Sequence, residues 1–112
     1  MPYHFTSRRR FAVAQADLSG RVELFDDDLP RLLGRCAATL LGRSIEEITR
    51  PDYRRVSRML FGNILKTGEA YSLQKIYCGA DGTEIPATTH VCLLRQQDGS
   101  PEAVVAVIQP SG

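Results

Sequence analysis

The sequence predicts an α+β domain: a five-stranded antiparallel sheet with short helices and one long helix packed on one face. Three observations lead there. Two Asp-Gly corners, in "CGADGTE" (78–84) and "QQDGSPE" (96–102), separate alternating apolar runs, which is the mark of tight hairpins. After Pro51, the residues Tyr53, Val56, Leu60 and Ile64 recur at helical spacing, with Arg54, Arg55, Arg58 and Asn63 on the other side. Strand patterns open and close the chain with helices between them, and strands joined by tight turns must run antiparallel.

Each element follows from local chemistry. "RFAVAQADLSGRVELF" reads as two short strands around a corner supplied by Asp17, Ser19 and Gly20. "DDDLPRLLGR" starts a helix with Asp28 as N-cap and Pro30 in the first turn. The three aspartates read as capping and loop solvation, since no further carboxylates complete an oxygen cage for a metal. Gly34 and Gly42 break the next stretch into short helical pieces. "SIEEIT" is a single turn with Ser44 as N-cap and Glu47 three residues later, a capping box. The amphipathic helix from 51 to 66 runs about four turns and ends at Gly68. Three strands follow, near 70–79, 83–95 and 102–109.

Composition bounds the function. At 112 residues the chain holds one domain with one modest core. A net charge of +1 excludes a dedicated nucleic-acid binder, and the Arg8–Arg10 run reads as a solvated start to the first strand. No apolar stretch is long enough to span a bilayer and the N-terminus carries no signal-peptide core, so a cytoplasmic location without membrane contact is expected. Cys36, Cys78 and Cys92 fit a reducing compartment. With Asp81-Gly82 as a two-residue turn, Ala80 faces Thr83, Cys78 faces Ile85 and Tyr71 faces Cys92. Cys78 and Cys92 are then roughly 23 Å apart along the ladder, far beyond disulfide reach.

The order and spacing of these pieces resemble the PAS domain, a small sensory module of histidine kinases, diguanylate cyclases and transcription regulators. The likeness runs over residues 10–109, with 1–9 as a tail and 110–112 as a second tail or the start of a linker. It rests on "DLSGRVELFDDDLPRLLGR", "LLGRSIEEITRPDYRRV", "LQKIYCGADGTEI" and "QQDGSPEAVVAVIQ", which look like the first hairpin and helix, the "HPDD"-type approach to the long helix, the "kDG" turn and the last hairpin. Arg50 stands where the family has His, and Tyr53 where it has a second Asp. The sequence stops at "IQPSG", where many relatives continue with an Asp-Ile-Thr motif, so either another output route or the remainder of a longer protein is expected. The resemblance implies a sheet curled around helices, with a small ligand between them and an output domain elsewhere.

In that register, Ile76, Cys78, Ile85, Ala87, Val91, Leu93, Val104, Ala106 and Ile108 form the helix-side face, opposite Val56, Leu60 and Ile64. Ser72, Gln74 and Thr89 share it, either to orient a ligand in an apolar cavity or to bond locally. The expected pocket lining is therefore Val56, Leu60, Ile64, Ser72, Gln74, Ile76, Thr89, Val91 and Leu93. The outer face holds Leu73, Tyr77, His90, Cys92, Leu94, Val105 and Val107 and is too apolar to face water. A homodimer is expected through it, with Leu73, Tyr77, Cys92, Leu94, Val105 and Val107 at the interface.

No cofactor is identifiable. A haem PAS domain needs an axial His on the long helix, and 51–66 has none; His4 falls in the tail and His90 in mid-strand. Cys36 in "GRCAAT" lacks the partners of the flavin-photoreceptor motif, so haem and flavin are both disfavoured. His90 and Cys92 supply half a zinc site at most, so no metal is expected. Three functions remain in order: a signalling module that binds an unknown small molecule, a ligand-free dimerisation module, and a small acid–base enzyme. The last is disfavoured because every Asp and Glu falls at a turn, a cap or a polar helix face.

Overall fold

Five strands pair antiparallel in the order β2-β1-β5-β4-β3 in the computed structural model, which describes residues 11–111. They are β1 (Ala12–Ala16), β2 (Val22–Phe25), β3 (Tyr71–Cys78), β4 (Glu84–Arg95) and β5 (Pro101–Pro110). Between β2 and β3 come α1 (Asp28–Leu33), α2 (Ala37–Leu40), a 3₁₀ turn (Ile45–Ile48) and the long α3 (Pro51–Thr67). The tail with His4 and the Arg8–Arg10 cluster lies outside the described residues, as does Gly112.

The hairpin corners decide which side chains face the helices. Both are one residue longer than an Asp-Gly pair. Gly79 N–H donates to Thr83 O at 2.7 Å, and Gly82 N–H donates to Gly79 O at 3.1 Å, which leaves Ala80–Gly82 as a three-residue loop. Gly82, at φ 85°, takes the left-handed position that such a loop requires. Asp81 Oδ1 accepts from Thr83 N–H at 3.0 Å and also from its hydroxyl, bonds that hold the Asp81 carboxyl below its usual range. The second corner repeats the design, with Gln96 N–H on Ser100 O at 2.8 Å, Gly99 at φ 89° and Asp98 bonded to Ser100.

The extra loop residue shifts β3 by one against the expected pairing: Tyr71 faces Val91, Leu73 faces Thr89 and Cys78 faces Glu84. A one-residue slip moves every side chain of a strand to the opposite face. Ser72, Gln74, Ile76 and Cys78 therefore lie on the outer face, while Tyr71, Leu73, Lys75 and Tyr77 face the helices. Ser72, Gln74 and Ile76 are thus removed from the expected pocket lining, and Leu73 and Tyr77 from the expected dimer surface. The second hairpin escapes this error. Arg95 pairs with Pro101 but Leu94 with Ala103, so Glu102 is an extra residue in a bulge that cancels the longer loop. Val91 and Leu93 consequently share a face with Val104 and Ala106, as expected.

The helices are held by their caps. α1 begins at Asp28 rather than after it, and Asp26 does the capping: its Oδ1 accepts from Leu29 N–H at 3.1 Å and its Oδ2 from Val13 N–H at 3.1 Å, tying α1 to β1. The 3₁₀ turn has the expected box, with Ser44 Oγ accepting from Glu46 N–H and Glu47 Oε1 from Ser44 N–H. α3 ends at Gly68.

α3 is rotated by roughly 80° from the stripe its apolar residues suggest, at 100° per residue. Ser57 and Ile64 are buried, and Phe61 and Leu65 pack beside them on the core. Val56 and Leu60 are half-buried on its flank and touch neither cavity nor core cluster, a second correction to the expected lining. Ile64 is fully buried but packs in the core rather than on the cavity wall, and Leu93 packs beside the core in the same way.

Candidate functional site

Small side chains leave a space between sheet and helices. The inward positions of β1 are Ala12, Ala14 and Ala16, and those of β4 and β5 include Ala87 and Ala106. Opposite them α3 presents Ser57, where a larger residue would close the gap. The result is a cavity of about 40 Å³ walled by Ala14, Ala16, Val22, Leu29, Ile45, Ile48, Phe61, Val91, Val104, Ala106 and Ile108. Its polar lining is Ser57, Tyr71, Lys75, Tyr77 and Thr89. Of the residues expected there from sequence, Thr89 and Val91 line it. A surface cleft of about 260 Å³ shares Ile45, Ser57 and Phe61 with the cavity and also carries Glu46 and Arg58, which pair across it.

Lys75 is the feature that sequence reasoning missed. It is 4% exposed, and its Nζ donates to Thr49 Oγ1 at 3.1 Å and Ser57 Oγ at 3.2 Å. It also stands 4.6 Å from the centroid of the Tyr77 ring, within cation–π range. Thr49 reaches it because the chain ahead of α3 lies along the edge of β3: Thr49 bridges to Tyr77, and Arg50 N–H donates to Ile76 O at 2.8 Å. Thr49 Oγ1 in turn donates to Ile45 O at 2.8 Å. No carboxylate pairs with Lys75 among the described residues. Burial pushes its pKa down to about 8, because the ammonium loses its hydration without gaining a counter-ion. A signal was present: Lys66 and Lys75 are the only lysines in an arginine-rich chain, and Lys75 lies in mid-strand between Gln74 and Ile76.

Two hydroxyls complete the site. Tyr77, 2% exposed, shares a 2.6 Å hydrogen bond with Thr89. Burial raises the Tyr77 phenol well above its usual range and lifts Tyr71 to about 12. Every buried side-chain N or O among the described residues has at least one partner.

On the outer face, Cys92, Leu94, Val105 and Val107 stand with Phe11 and Val13, which are 42% and 38% exposed. His90 and Cys92 are exposed there, and His90 Nδ1 is 2.7 Å from Ser72 Oγ. Cys36, Cys78 and Cys92 are free thiols.

A five-stranded antiparallel sheet in the order 2-1-5-4-3, with α1, the 3₁₀ turn and α3 against one face, is the PAS fold. The PAS-B domain of Drosophila melanogaster Cycle, solved with bound ethylene glycol, superposes with a TM-score of 0.82 at 11% identity, over 89% of this chain and 99% of that one. A PAS domain from Colwellia psychrerythraea gives 0.80 at 11% identity, over 90% and 86% of the two chains. The LOV protein of Rhodobacter sphaeroides gives 0.79 at 18% identity, over 94% of this chain and 61% of that protein. No protein-family model matches the sequence, and no curated protein matches it either. The likeness lies in the fold. No helix among the described residues is long and apolar enough to cross a membrane.

Proposed function

We propose that this chain is a sensory module that takes a small molecule into the cavity beneath α3. The observation that carries this reading is the composition of the cavity wall: apolar side chains on most sides, with Lys75, Ser57, Tyr77 and Thr89 converging from two strands and a helix. Binding sites combine greasy walls with a few oriented polar groups in this way. The ethylene glycol bound to the similar Cycle domain supports it by analogy of fold. Occupancy would alter the packing of α3 on the sheet, and an output domain, linked or separate, would respond to that shift. Two of the similar structures are bacterial, which favours a signal-transduction protein of bacterial type; the three free thiols favour a cytoplasmic one.

The experiment is native mass spectrometry of the purified chain beside a thermal-shift screen of molecules with about four heavy atoms or fewer. The wild type should gain stability with at least one of them, whereas Ala106→Val, which grows a side chain into the cavity, should respond to none. Equal responses in both proteins would place binding elsewhere and end the proposal.

A second reading, homodimerisation through the outer face, is favoured by one observation. Val13 lies directly opposite Val107, and with Phe11 and Val105 they form an apolar strip that no helix of the described residues covers.

A further inference from the structure

The lining of the cavity leaves several hydrogen-bond donors uncommitted. Lys75 has three N–H groups and commits two, to Thr49 and Ser57, which leaves a third for a ligand; its Nζ stands 4.6 Å from the centroid of the Tyr77 ring. Ser57 Oγ accepts from Lys75, and its own proton has no acceptor among the described residues. Tyr77 and Thr89 share one hydrogen bond between two hydroxyls, so one proton of that pair is left over. The charges are uneven too: an ammonium 4% exposed faces a wall with no carboxylate. The titratable groups around it are Tyr71 and Tyr77 from β3, with none from α3, the 3₁₀ turn, β4 or β5 among the lining residues.

From this geometry we infer that the occupant of the cavity is a small carboxylate, its oxygens meeting Lys75 Nζ and the free hydroxyl protons of Ser57 and of the Tyr77–Thr89 pair. A carboxylate accepts hydrogen bonds from these uncommitted donors, and among the ligands that could do so it is the one that also supplies the missing negative charge. About 40 Å³ is room for roughly three water-sized units, which sets formate or acetate as the scale. This inference rests on the reading of the cavity as a ligand site and adds the chemical class of the ligand.

The chain offers a clean probe, because Lys66 and Lys75 are its only lysines and each gives a separate ¹³Cε signal in lysine-labelled protein. Sodium acetate, sodium formate and ethylene glycol are titrated to about 100 mM, a range that captures millimolar affinity. Sodium gluconate, too large to enter, holds the ionic strength constant. Acetate or formate is expected to shift the Lys75 signal saturably, leave Lys66 in place and raise the Lys75 titration midpoint from its unliganded position. Binding should weaken at least tenfold once Lys75 is neutral above that midpoint. Followed by thermal shift, which does not depend on a Lys75 signal, the wild type should be stabilised by acetate, and Lys75→Met and Lys75→Gln should lose that stabilisation while keeping any response to ethylene glycol. If ethylene glycol binds and neither carboxylate moves Lys75, the anion inference falls and the ligand site stands. If none of the three binds the wild type, the anion inference falls, and the wider thermal-shift screen decides the ligand site. An acetate response retained in both Lys75 variants would also overturn the assignment to Lys75.

Discussion

The Lys75 ammonium lies 4.6 Å from the centroid of the Tyr77 ring, two residues along the inner face of β3. Both residues are buried, and burial moves their titrations in opposite directions: Lys75 down to about 8, Tyr77 up from its usual value. The two shifts bound a pH window for folding stability. Native Lys75 releases its proton near 8, whereas in the unfolded chain it does so near 10.5. Between those values the unfolded state binds more protons, so raising the pH favours the native state. Above about pH 10 the tyrosines act the other way, because their native pKa values are raised and the unfolded chain loses protons first. Denaturant unfolding should therefore show stability rising by about 2 kcal/mol between pH 7 and 9.5 and falling beyond pH 10. In Lys75→Met the rise should vanish; a rise that persists would assign it to another group.

The rotation of α3 is tested by two truncations one turn apart. Ile64 is fully buried in the core, whereas Leu60 is half-buried on the flank. Ile64→Ala should cost about 2–5 kcal/mol in chemical denaturation. Leu60→Ala should cost under about 1 kcal/mol, the range of sites away from the core. Similar losses at both positions would put the buried stripe back where the apolar periodicity alone suggests.

At the first hairpin, Gly82 sits at φ 85° with open space around the position of a side chain, so a methyl group meets no clash there. Any cost of Gly82→Ala is then conformational, about 1–2 kcal/mol for a left-handed backbone. The same change at Gly99, at φ 89° and equally open, should cost a similar amount. A neutral result at both sites, by thermal and denaturant unfolding, would exclude the three-residue loops.

For the outer face, Val13→Glu and Val107→Lys place charges on directly opposed residues. If the strip is a dimer contact, each single change should lower the oligomer mass seen by light scattering without altering the circular dichroism spectrum. A wild-type chain that is monomeric at every accessible concentration would remove the dimer.

Much of this was legible along the chain, and the limit has a physical cause. The Asp-Gly corners, the Ser44 capping box and the helical spacing after Pro51 are signals carried within a few residues, so they placed the hairpins and the long helix. The faces of β4 and β5 also came out as expected, though through compensation: the longer second loop is cancelled by the Glu102 bulge. β3 has no such bulge, so one residue of loop length inverted Leu73 and Tyr77 against Ser72, Gln74 and Ile76. Alternation could not arbitrate, because both faces of β3 mix apolar and polar side chains.

By itself, then, the amino-acid order determined the class of fold, the sequence of elements and the apolar helix-side face of β4 and β5 expected to wall a hollow. Only the tertiary structure decided that the hollow holds a lysine. That choice depends on strand register and helix rotation, which are set by contacts between distant segments: Lys75 to Thr49 across 26 residues and to Ser57 across 18. Read locally, a serine on a helix and a lysine in a strand belong to the water-facing side; they are buried here because each satisfies the other.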